Sequence, residues 1–233
     1  MNKPTIRRPI RSYVLRGGRM TLAQIRAYDQ NWEKWGLAPG QALDFDTVFT
    51  NPGARIVEIG FGMGDSLAAM AAAQPDANFV GIEVHKAGVG KLLNSMAEGE
   101  LTNIRIYCHD AVQILHECIA DASLDKIQIF FPDPWHKKKH NKRRLVQSEF
   151  VAQLVLKLKP GGILHLATDW EDYALQMMDV LSRAPGLQNT CPDGEYSSRP
   201  QERPLTKFER RGERLGHGVW DLLFERVETS PLL

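Results

Sequence analysis

The sequence has few cysteines, no long apolar run and almost no net charge. Its three cysteines, Cys108, Cys118 and Cys191, are scattered and form no Cys-x-x-Cys pair. This excludes a disulfide framework and favours a reducing compartment. No apolar run approaches the length that crosses a bilayer, and no apolar stretch follows the basic N-terminus as it would in a secretory signal. We therefore expect a soluble, cytoplasmic protein without a membrane partner.

The chain also lacks internal repeats and low-complexity linkers. Its 233 residues can bury one sizeable core, so we predict a single domain over residues 21–233. Residues 1–20 are rich in Arg, Pro and Gly and predict a flexible basic arm. The net charge of +1 indicates no partner by itself, but the arm and residues 137–144 form two basic patches. No obligate protein partner is evident, and a monomer and a homodimer both fit the sequence.

Apolar runs with strand character alternate with helical patterns from Arg55 onwards. The predicted strands are 55–60, 78–84, 104–108, 126–131, 162–167 and 219–227. The predicted helices are 21–34, 65–73, 86–97, 111–120, 145–158 and 169–183. Thr21 is the predicted N-cap of the first helix. This alternation predicts an α/β fold, in which a parallel sheet is covered by helices on both faces. Residues 159–162 predict a helix end and a tight turn, and residues 184–215 predict irregular structure.

An acidic residue stands at or near the carboxyl end of each of the first five strands. These residues are Glu58, Glu83, Asp110, Asp133 and Asp169. In open α/β sheets, ligands bind outside the carboxyl ends of the strands. The pattern therefore predicts a ligand site at this edge, although Glu83 and Asp110 could also act only as helix N-caps.

A glycine-rich loop follows the first strand and opens a helix. Residues 58–64 read Glu-Ile-Gly-Phe-Gly-Met-Gly, in which Gly60, Gly62 and Gly64 allow a sharp turn and close approach of a ligand. The spacing differs from the Gly-x-Gly-x-x-Gly of dinucleotide sites, and Glu58 would repel a pyrophosphate. S-adenosylmethionine carries a sulfonium and an ammonium group and no phosphate, so it fits better than the alternative, a nicotinamide dinucleotide. Glu83 could accept hydrogen bonds from both ribose hydroxyls, and Asp110 one from the adenine amino group.

Residues 130–144 combine a carboxylate, a large aromatic ring and clustered cations. They read Phe-Phe-Pro-Asp-Pro-Trp-His-Lys-Lys-Lys-His-Asn-Lys-Arg-Arg. A carboxylate accepts hydrogen bonds from a base edge, an aromatic ring can stack on a base, and cations attract phosphates. This favours a nucleic-acid site beside a reaction centre. The alternative is a surface turn followed by a solvated charged loop.

Five blocks give this chain a resemblance to a known family. They are Glu-Ile-Gly-Phe-Gly-Met-Gly at 58–64, Phe-Pro-Asp-Pro-Trp at 131–135, Lys-Arg-Arg-Leu at 142–145, Ala-Thr-Asp-Trp at 167–170 and Thr-Lys-Phe-Glu-Arg-Arg-Gly at 206–212. The chain resembles the bacterial tRNA (guanine-N7)-methyltransferases, in order, from about residue 45 to 227. The resemblance implies a class I S-adenosylmethionine-dependent methyltransferase fold, Rossmann-like, with a mostly parallel seven-stranded sheet. It also implies methyl transfer to N7 of guanine at position 46, in the variable loop of tRNA.

The resemblance further implies roles for individual residues. The implied cofactor site contains Glu58, Gly60, Gly62, Gly64, Glu83, Asp110 and Asp133, and Asp133 is also the implied catalytic carboxylate. The implied substrate-binding residues are Lys137, Asp169, Thr206, Lys207, Phe208 and Glu209. The implied RNA-contacting residues are Lys139, His140, Asn141, Lys142, Arg143 and Arg144. His136 stands where the family often has Pro, and Lys139 where it often has Arg. Neither change removes a functional group.

Several alternatives stay open at this point. Trp135 could stack on a base or pack beneath its own loop. His136 and His140 could suggest a metal site, but the surrounding cations repel a divalent ion and methyl transfer needs none, so we expect no metal. The chain could also be a non-catalytic RNA-binding module, or it could methylate another RNA or a small acidic molecule. The intact glycine loop and the acids at the strand ends disfavour the module, and the size of the basic patches disfavours the small substrate.

Overall fold

A seven-stranded sheet forms the centre of the molecule. The computed structural model describes residues 12–13, 19–205, 209 and 218–228. Its strands are β1 (Arg55–Ile59), β2 (Asn78–Ile82), β3 (Ile104–Tyr107), β4 (Leu124–Phe130), β5 (Leu158–Thr168), β6 (Leu187–Asn189) and β7 (Trp220–Arg226). They lie in the order β3-β2-β1-β4-β5-β7-β6. The pairs among β1 to β5 are parallel, and β7 pairs antiparallel with both β5 and β6. The predicted mostly parallel, seven-stranded sheet is confirmed.

Helices cover both faces of this sheet. They are α1 (Leu22–Trp35), α2 (Phe45–Val48), α3 (Asp65–Ala73), α4 (Lys86–Glu98), α5 (Ala111–Glu117), α6 (Ser148–Lys157) and α7 (Glu171–Ser182), with 3₁₀ helices at Lys138–Arg143 and Pro192–Gly194. Buried residues of α1, α3 and α4 share one apolar cluster with one face of the sheet. Buried residues of α5, α6 and α7 share a second cluster with the other face. Two apolar layers therefore enclose the sheet, as the sequence alternation predicts.

The start of α1 agrees with the sequence prediction. Thr21 is its N-cap: the Thr21 hydroxyl accepts from the Gln24 backbone N–H at 3.2 Å. The Gln24 side chain in turn accepts from the Thr21 N–H at 2.8 Å. This reciprocal capping box satisfies two backbone donors that the first helical turn leaves free.

Two parts of the sheet differ from the sequence prediction. Strand β6 lies within 184–215, where we expected irregular structure; it has three residues, and its partner β7 is distant in sequence. Residues 159–162 do not precede β5 but lie inside it. Leu124 of β4 pairs with Leu158, whereas Lys126 already pairs with Ile163, so the Pro-Gly-Gly segment forms an irregularity in the strand.

The structure also describes features that correspond to the predictions about membrane spans, cysteines and the N-terminal arm. No helix within the described ranges is long and apolar enough to span a membrane. Cys108, Cys118 and Cys191 are all free thiols. Of the predicted arm, only Ser12, Tyr13, Arg19 and Met20 are described.

Candidate active site

A cavity opens at the carboxyl ends of β1, β2, β3 and β4. Its walls include Ile59, Gly60, Ile82, Glu83, Val84, His85, His109, Asp110, Ala111, Phe131, Pro132, Asp133 and Leu145, together with Ser12 and Tyr13. Three of the predicted carboxylates, Glu83, Asp110 and Asp133, thus share one cavity. Parallel strands place their carboxyl ends along one edge of the sheet, which is why residues far apart in sequence meet here.

The glycine loop forms a left-handed turn that begins in the wall of this cavity, where Gly60, but neither Gly62 nor Gly64, is among the lining residues. The φ angles of Gly60, Gly62 and Gly64 are +74°, +57° and +77°, a region that side chains other than glycine rarely adopt. A Cβ atom on Gly60 or Gly62 would meet no heavy atom within 4 Å, so these two backbone positions face open space. A Cβ atom on Gly64 would lie 2.7 Å from the Leu92 Cβ atom. Gly64 therefore serves the packing of α3 on α4, and the first two glycines leave room for a ligand.

Glu83 connects the glycine loop to the turn after β2. Its Oε2 atom accepts from the Gly62 N–H at 3.0 Å, and its Oε1 atom from the N–H groups of Val84 and His85 at 2.7 and 2.9 Å. A carboxylate offers about four lone-pair positions, so Oε2 retains room for about one further donor. The expectation that Glu83 binds both ribose hydroxyls therefore narrows to one hydroxyl in this arrangement.

Asp110 is both the N-cap of α5 and a wall of the cavity. Its Oδ1 atom accepts from the Val112 N–H at 2.9 Å. Its Oδ2 atom accepts from the Tyr13 hydroxyl at 3.0 Å. Capping and ligand binding are therefore compatible, because each oxygen keeps a lone pair.

Glu58 is buried within β1 and is not among the walls of the cavity. The residue is 2% exposed, and its Oε2 atom accepts from Gln128 Nε2 at 2.9 Å. Burial raises the pKa of Glu58 to about 7. Near neutral pH the group is therefore only partly charged, and the argument that Glu58 would repel a pyrophosphate loses much of its force.

Asp133 lies in a strained loop after β4. Its side chain is exposed, and Pro132 and Pro134 flank it. Phe131 and Trp135, on either side of this triplet, have φ angles of +51° and +47°. Such angles in non-glycine residues cost of order 1–3 kcal/mol each and persist only where surrounding contacts hold them. The loop thus presents Asp133 in a direction that the backbone restricts.

Trp135 joins this loop to the arm and to the cationic segment. Its indole N–H donates to the Ser12 carbonyl oxygen at 3.1 Å. The Arg143 guanidinium lies 4.9 Å from the centroid of its ring, and the His140 ring meets it edge-on at 5.9 Å. Both the polar edge and a ring face of Trp135 are therefore engaged within the protein, which favours packing over base stacking.

Most of the cationic segment faces solvent. Lys137, Lys138, Lys139, Lys142 and Arg143 are exposed, whereas His140 and Asn141 are half-buried. Residues Lys138–Arg143 form a single 3₁₀ helix with no buried residue. Desolvation, followed by the charges of nearby lysines and Arg143, lowers the pKa of His140. The lowered pKa reduces the positive charge that His140 adds to the patch.

Arg144 differs from the expectation that it contacts RNA. It is 2% exposed, and its guanidinium donates to the Pro134 carbonyl at 2.8 Å and to Gln176 Oε1 at 2.7 Å. It also pairs with the Asp172 carboxylate at 2.5 Å. A side chain with no free surface cannot reach a phosphate, so Arg144 instead fastens the Asp133 loop to α7.

Asp169 follows β5, and its exposed side chain is not among the walls of the cavity. The next residue, Trp170, is 37% exposed and meets the His136 ring edge-to-face at a centroid distance of 4.3 Å. This contact bridges the ends of β4 and β5. The substrate-binding role of Asp169 and Lys137 stays a prediction.

The predicted substrate block at 206–209 is only partly described. Thr206, Lys207 and Phe208 lie outside the described residues. Glu209 is 2% exposed and pairs with Arg203 at 2.6 Å. Its carboxylate therefore contacts a buried guanidinium, an arrangement that the sequence did not indicate.

Arg203 is the centre of a buried ionic network. Its Nε and Nη2 atoms both donate to Asp221 at 2.8 Å, and His165 Nε2 lies 2.7 Å from Asp221 Oδ1. The guanidinium also lies 5.5 Å from the centroid of the Phe131 ring. Sequence reasoning missed this network. The one feature of the sequence that indicates it is Asp221, because a carboxylate within the apolar strand β7 requires a buried partner.

Metal binding finds no support in the described part of the chain, where no group of three His, Cys, Asp or Glu side chains could hold an ion. S-adenosylmethionine fits the cavity better. The open space at Gly60 and Gly62 allows the ligand to approach the protein backbone closely. Glu83 and Asp110 offer carboxylate acceptors to the hydroxyl and amino groups of the ligand. The cavity walls include carboxylates and histidines but no lysine or arginine, which suits a cationic ligand and not a pyrophosphate.

Comparison with known proteins agrees with this geometry. A family profile described as "Putative methyltransferase" matches residues 53–222. The tRNA (guanine-N(7)-)-methyltransferase of Pseudomonas aeruginosa strain UCBPP-PA14 is 57% identical over 222 residues, which cover 95% of this chain and 91% of that protein. The protein of the same name from Stutzerimonas stutzeri strain A1501 is 56% identical over 223 residues, covering 95% and 94%.

Solved structures support the fold independently. The crystal structure of the 16S rRNA methyltransferase KamB superposes with a TM-score of 0.59 at 15% identity, covering 82% of this chain and 99% of that chain. At this identity the likeness concerns the fold alone, which is that of a class I methyltransferase. Sequence identity over nearly the whole chain goes further: the chain belongs to the tRNA (guanine-N7)-methyltransferase family.

Proposed function

We propose that this chain transfers a methyl group from S-adenosylmethionine to N7 of the guanine at position 46, in the variable loop of tRNA. The observation that carries the proposal is the meeting of Glu83, Asp110 and Asp133 in one cavity above the glycine turn. Exposed cations lie on the same loop as Asp133. The names of the relatives support the choice of tRNA and of guanine N7.

Residues of three strand ends would hold the cofactor. The turn at Gly60 and Gly62 lets the backbone approach it, Glu83 accepts from a ribose hydroxyl, and Asp110 accepts from the adenine amino group. Glu58, two residues before Gly60, joins β1 to β4 through its hydrogen bond with Gln128. When bound, S-adenosylmethionine supplies a methyl group activated by its sulfonium.

Asp133 would orient the base rather than remove a proton. Guanine N7 already carries an in-plane lone pair, so the reaction needs no general base. An exposed carboxylate at the cavity can accept from the N1–H and N2–H₂ donors of guanine. It also stabilises the positive charge that develops on the methylated ring. Orientation of this kind can contribute roughly 7–11 kcal/mol to lowering a barrier.

The exposed cations would bind the tRNA backbone. Lys137, Lys138, Lys139, Lys142 and Arg143 present their charges to solvent on one segment. Lysine and arginine runs match phosphate charge without fixed geometry, so they position RNA and carry no base readout. The described part of the arm adds Arg19.

The experiment is to map methylated guanines in RNA from a strain that lacks this gene. Borohydride reduction followed by aniline cleaves RNA at N7-methylguanosine, and primer extension locates the break. We expect tRNA cleavage at position 46 to vanish in the deletion strain and to return with the parent gene, but not with an Asp133→Ala gene. Loss of cleavage in ribosomal RNA, with tRNA unaffected, would overturn the proposal.

A further inference from the structure

Two residues of the basic arm form part of the cavity. Ser12 and Tyr13 lie among its walls, together with residues at the carboxyl ends of β1 to β4. Both are half-buried, although the surrounding arm sequence is strongly basic and polar. Nothing in the sequence pattern assigns Tyr13 a role.

The Tyr13 hydroxyl donates to Asp110 Oδ2 at 3.0 Å, across 97 positions of sequence. The other oxygen, Oδ1, accepts from the Val112 N–H at 2.9 Å. With one bond on each oxygen, the plane of the carboxylate is fixed, and a lone pair on each oxygen remains available. Without Tyr13, only the N-cap bond would orient Asp110.

The position of Tyr13 is itself held through its neighbour Ser12. The Trp135 indole N–H donates to the carbonyl oxygen of Ser12, the residue before Tyr13, at 3.1 Å. Trp135 lies in the strained loop that carries Asp133, and Arg143 covers its ring at 4.9 Å. The arm segment therefore connects Asp110 on one side with the Asp133 loop on the other.

We propose that Tyr13 is a positioning residue for the cofactor: it orients Asp110 to accept from the adenine amino group, and with Ser12 it closes the cavity over the ligand. The inference rests on the proposed cofactor site. It adds to that site a residue of the arm, and it makes Trp135 a support of the cofactor site rather than a base-stacking platform.

Binding calorimetry with S-adenosylhomocysteine tests the proposal without catalysis. Tyr13→Phe keeps the ring and removes the hydroxyl, and we expect it to weaken binding roughly three- to tenfold, because the lost bond to a charged group acts only indirectly on the ligand. Tyr13→Ala should weaken binding further, because the wall is also lost. Trp135→Phe, which removes the N–H donor to Ser12, should weaken binding by a similar factor to Tyr13→Phe.

Tyr196→Phe is the matched control. Tyr196 is also half-buried but is not among the cavity walls, so its substitution should leave the affinity within about twofold of the parent. Near-ultraviolet circular dichroism and thermal unfolding show whether each variant is folded. Unchanged affinity in Tyr13→Phe and Tyr13→Ala would overturn the proposal. Tighter binding in Tyr13→Phe would also overturn it, because Tyr13 would then compete with the adenine amino group.

A second ligand separates positioning from simple packing. In the deamino analogue of S-adenosylhomocysteine, hydrogen replaces the adenine amino group, so Asp110 has nothing to accept from. We expect Tyr13→Phe to have less than a twofold effect on the affinity for this analogue. An equal loss of affinity for both ligands would mean that the hydroxyl does not act through Asp110.

One further variant distinguishes this inference from the proposed cofactor site. Glu83→Ala should weaken S-adenosylhomocysteine binding whether or not Tyr13 takes part. If Glu83→Ala binds as tightly as the parent protein, the proposed site itself is wrong. If Glu83→Ala binds weakly and both Tyr13 variants bind like the parent, only the role of Tyr13 is wrong.

Discussion

At the scale of single residues, the proposed chemistry depends on how Asp133 is held. Pro132 and Pro134 restrict its backbone, and the left-handed φ angles of Phe131 and Trp135 turn the chain on either side. We expect Asp133→Ala to slow single-turnover methyl transfer to tRNA roughly 100-fold, as loss of one oriented electrostatic group does in other enzymes. Rapid-quench measurement with labelled S-adenosylmethionine gives this rate directly.

The affinities of the same variant provide the control. Asp133→Ala should bind S-adenosylhomocysteine and tRNA within about tenfold of the parent, because the glycine loop, Glu83 and the exposed cations remain. Asp133→Asn keeps one acceptor oxygen without the charge and should give an intermediate rate. A rate within a few-fold of the parent in Asp133→Ala would make Asp133 a structural residue.

Glu58 gives a prediction about pH. Burial raises its pKa from 4.5 to about 7 in the folded protein. Between these values the folded state binds more protons than the unfolded state, so the Glu58 contribution makes stability fall as pH rises from about 4.5 to about 7. Relative to the parent, Glu58→Gln should therefore gain unfolding free energy over this window, by roughly 2–4 kcal/mol at about 1.4 kcal/mol per pKa unit.

Urea unfolding of the parent and of Glu58→Gln at pH 5 and pH 8 measures this gain. Comparing the two pH values cancels any constant cost of the buried amide. Gln128→Leu, which removes the hydrogen bond to Glu58 and leaves the carboxyl group in place, is the control and should retain the pH dependence. A difference between parent and Glu58→Gln that is the same at both pH values would refute the raised pKa.

At the scale of elements, the cationic 3₁₀ helix and the residue after it have different roles. Lys142 and Arg143 are exposed, and removing one ion pair with a phosphate should reduce the magnitude of the log–log salt slope of tRNA binding by roughly 0.7–0.9. We therefore expect Lys142→Gln with Arg143→Gln to weaken tRNA binding and flatten its salt dependence. Titrations at several salt concentrations measure the slope, and an unchanged slope would make this helix only a solvated surface.

Arg144 is the matched comparison on the same segment. Its guanidinium is buried and bonds Pro134, Asp172 and Gln176. We expect Arg144→Gln to lower the free energy of unfolding by about 1–3 kcal/mol, because the buried guanidinium and its bonds to three partly buried or exposed acceptors are lost. Denaturant unfolding measures this. If Arg144→Gln instead flattens the salt slope without loss of stability, the division between the two roles is wrong.

These elements also show how far sequence reasoning reached. The parallel strands and their helices followed from apolar runs and periodicity, and the acids at the strand ends predicted which edge carries the site. The burial of Arg144 did not follow, because it depends on Asp172 and Gln176 of α7, whose position only the folded sheet determines. Strand β6 was missed because three residues carry no periodicity of their own.

At the scale of the whole molecule, Arg203 joins the segment before β7 to the sheet. Arg203, Asp221 and Glu209 are 1%, 2% and 2% exposed, so their charges are almost fully desolvated. Burial lowers the pKa of His165, which bonds Asp221 as a neutral ring. We expect Arg203→Met to cost roughly 3–5 kcal/mol of stability, because two buried carboxylates would lose their cation.

Thermal and denaturant unfolding test this expectation. Arg199→Met is the control, since Arg199 is exposed and, within the described residues, its one hydrogen bond goes to the Arg203 carbonyl oxygen. It should cost less than about 1 kcal/mol, as most substitutions outside buried networks do. A similar small cost for Arg203→Met would mean that the network contributes no net stability.

Contacts between residues far apart in sequence, such as those of this network, could not be predicted from the sequence. The family resemblance implied that Glu209 binds substrate, but it could not show that the carboxylate pairs with Arg203. Nor could it bring Tyr13 to Asp110, since no local pattern connects positions 97 residues apart. The division into an arm of residues 1–20 and one domain of residues 21–233 stays a prediction.

The central claim is that the protein methylates N7 of guanine in the tRNA variable loop. The most direct measurement is transfer of a labelled methyl group to two ligated tRNAs that differ at one atom, one with guanosine and one with 7-deazaguanosine at position 46. In 7-deazaguanosine a C–H group replaces N7, while the N1–H and N2–H₂ donors that Asp133 would bind are unchanged. We predict that both tRNAs bind with similar affinity and that only the guanosine tRNA accepts the label. Transfer to the 7-deazaguanosine tRNA at the parental rate would contradict the claim.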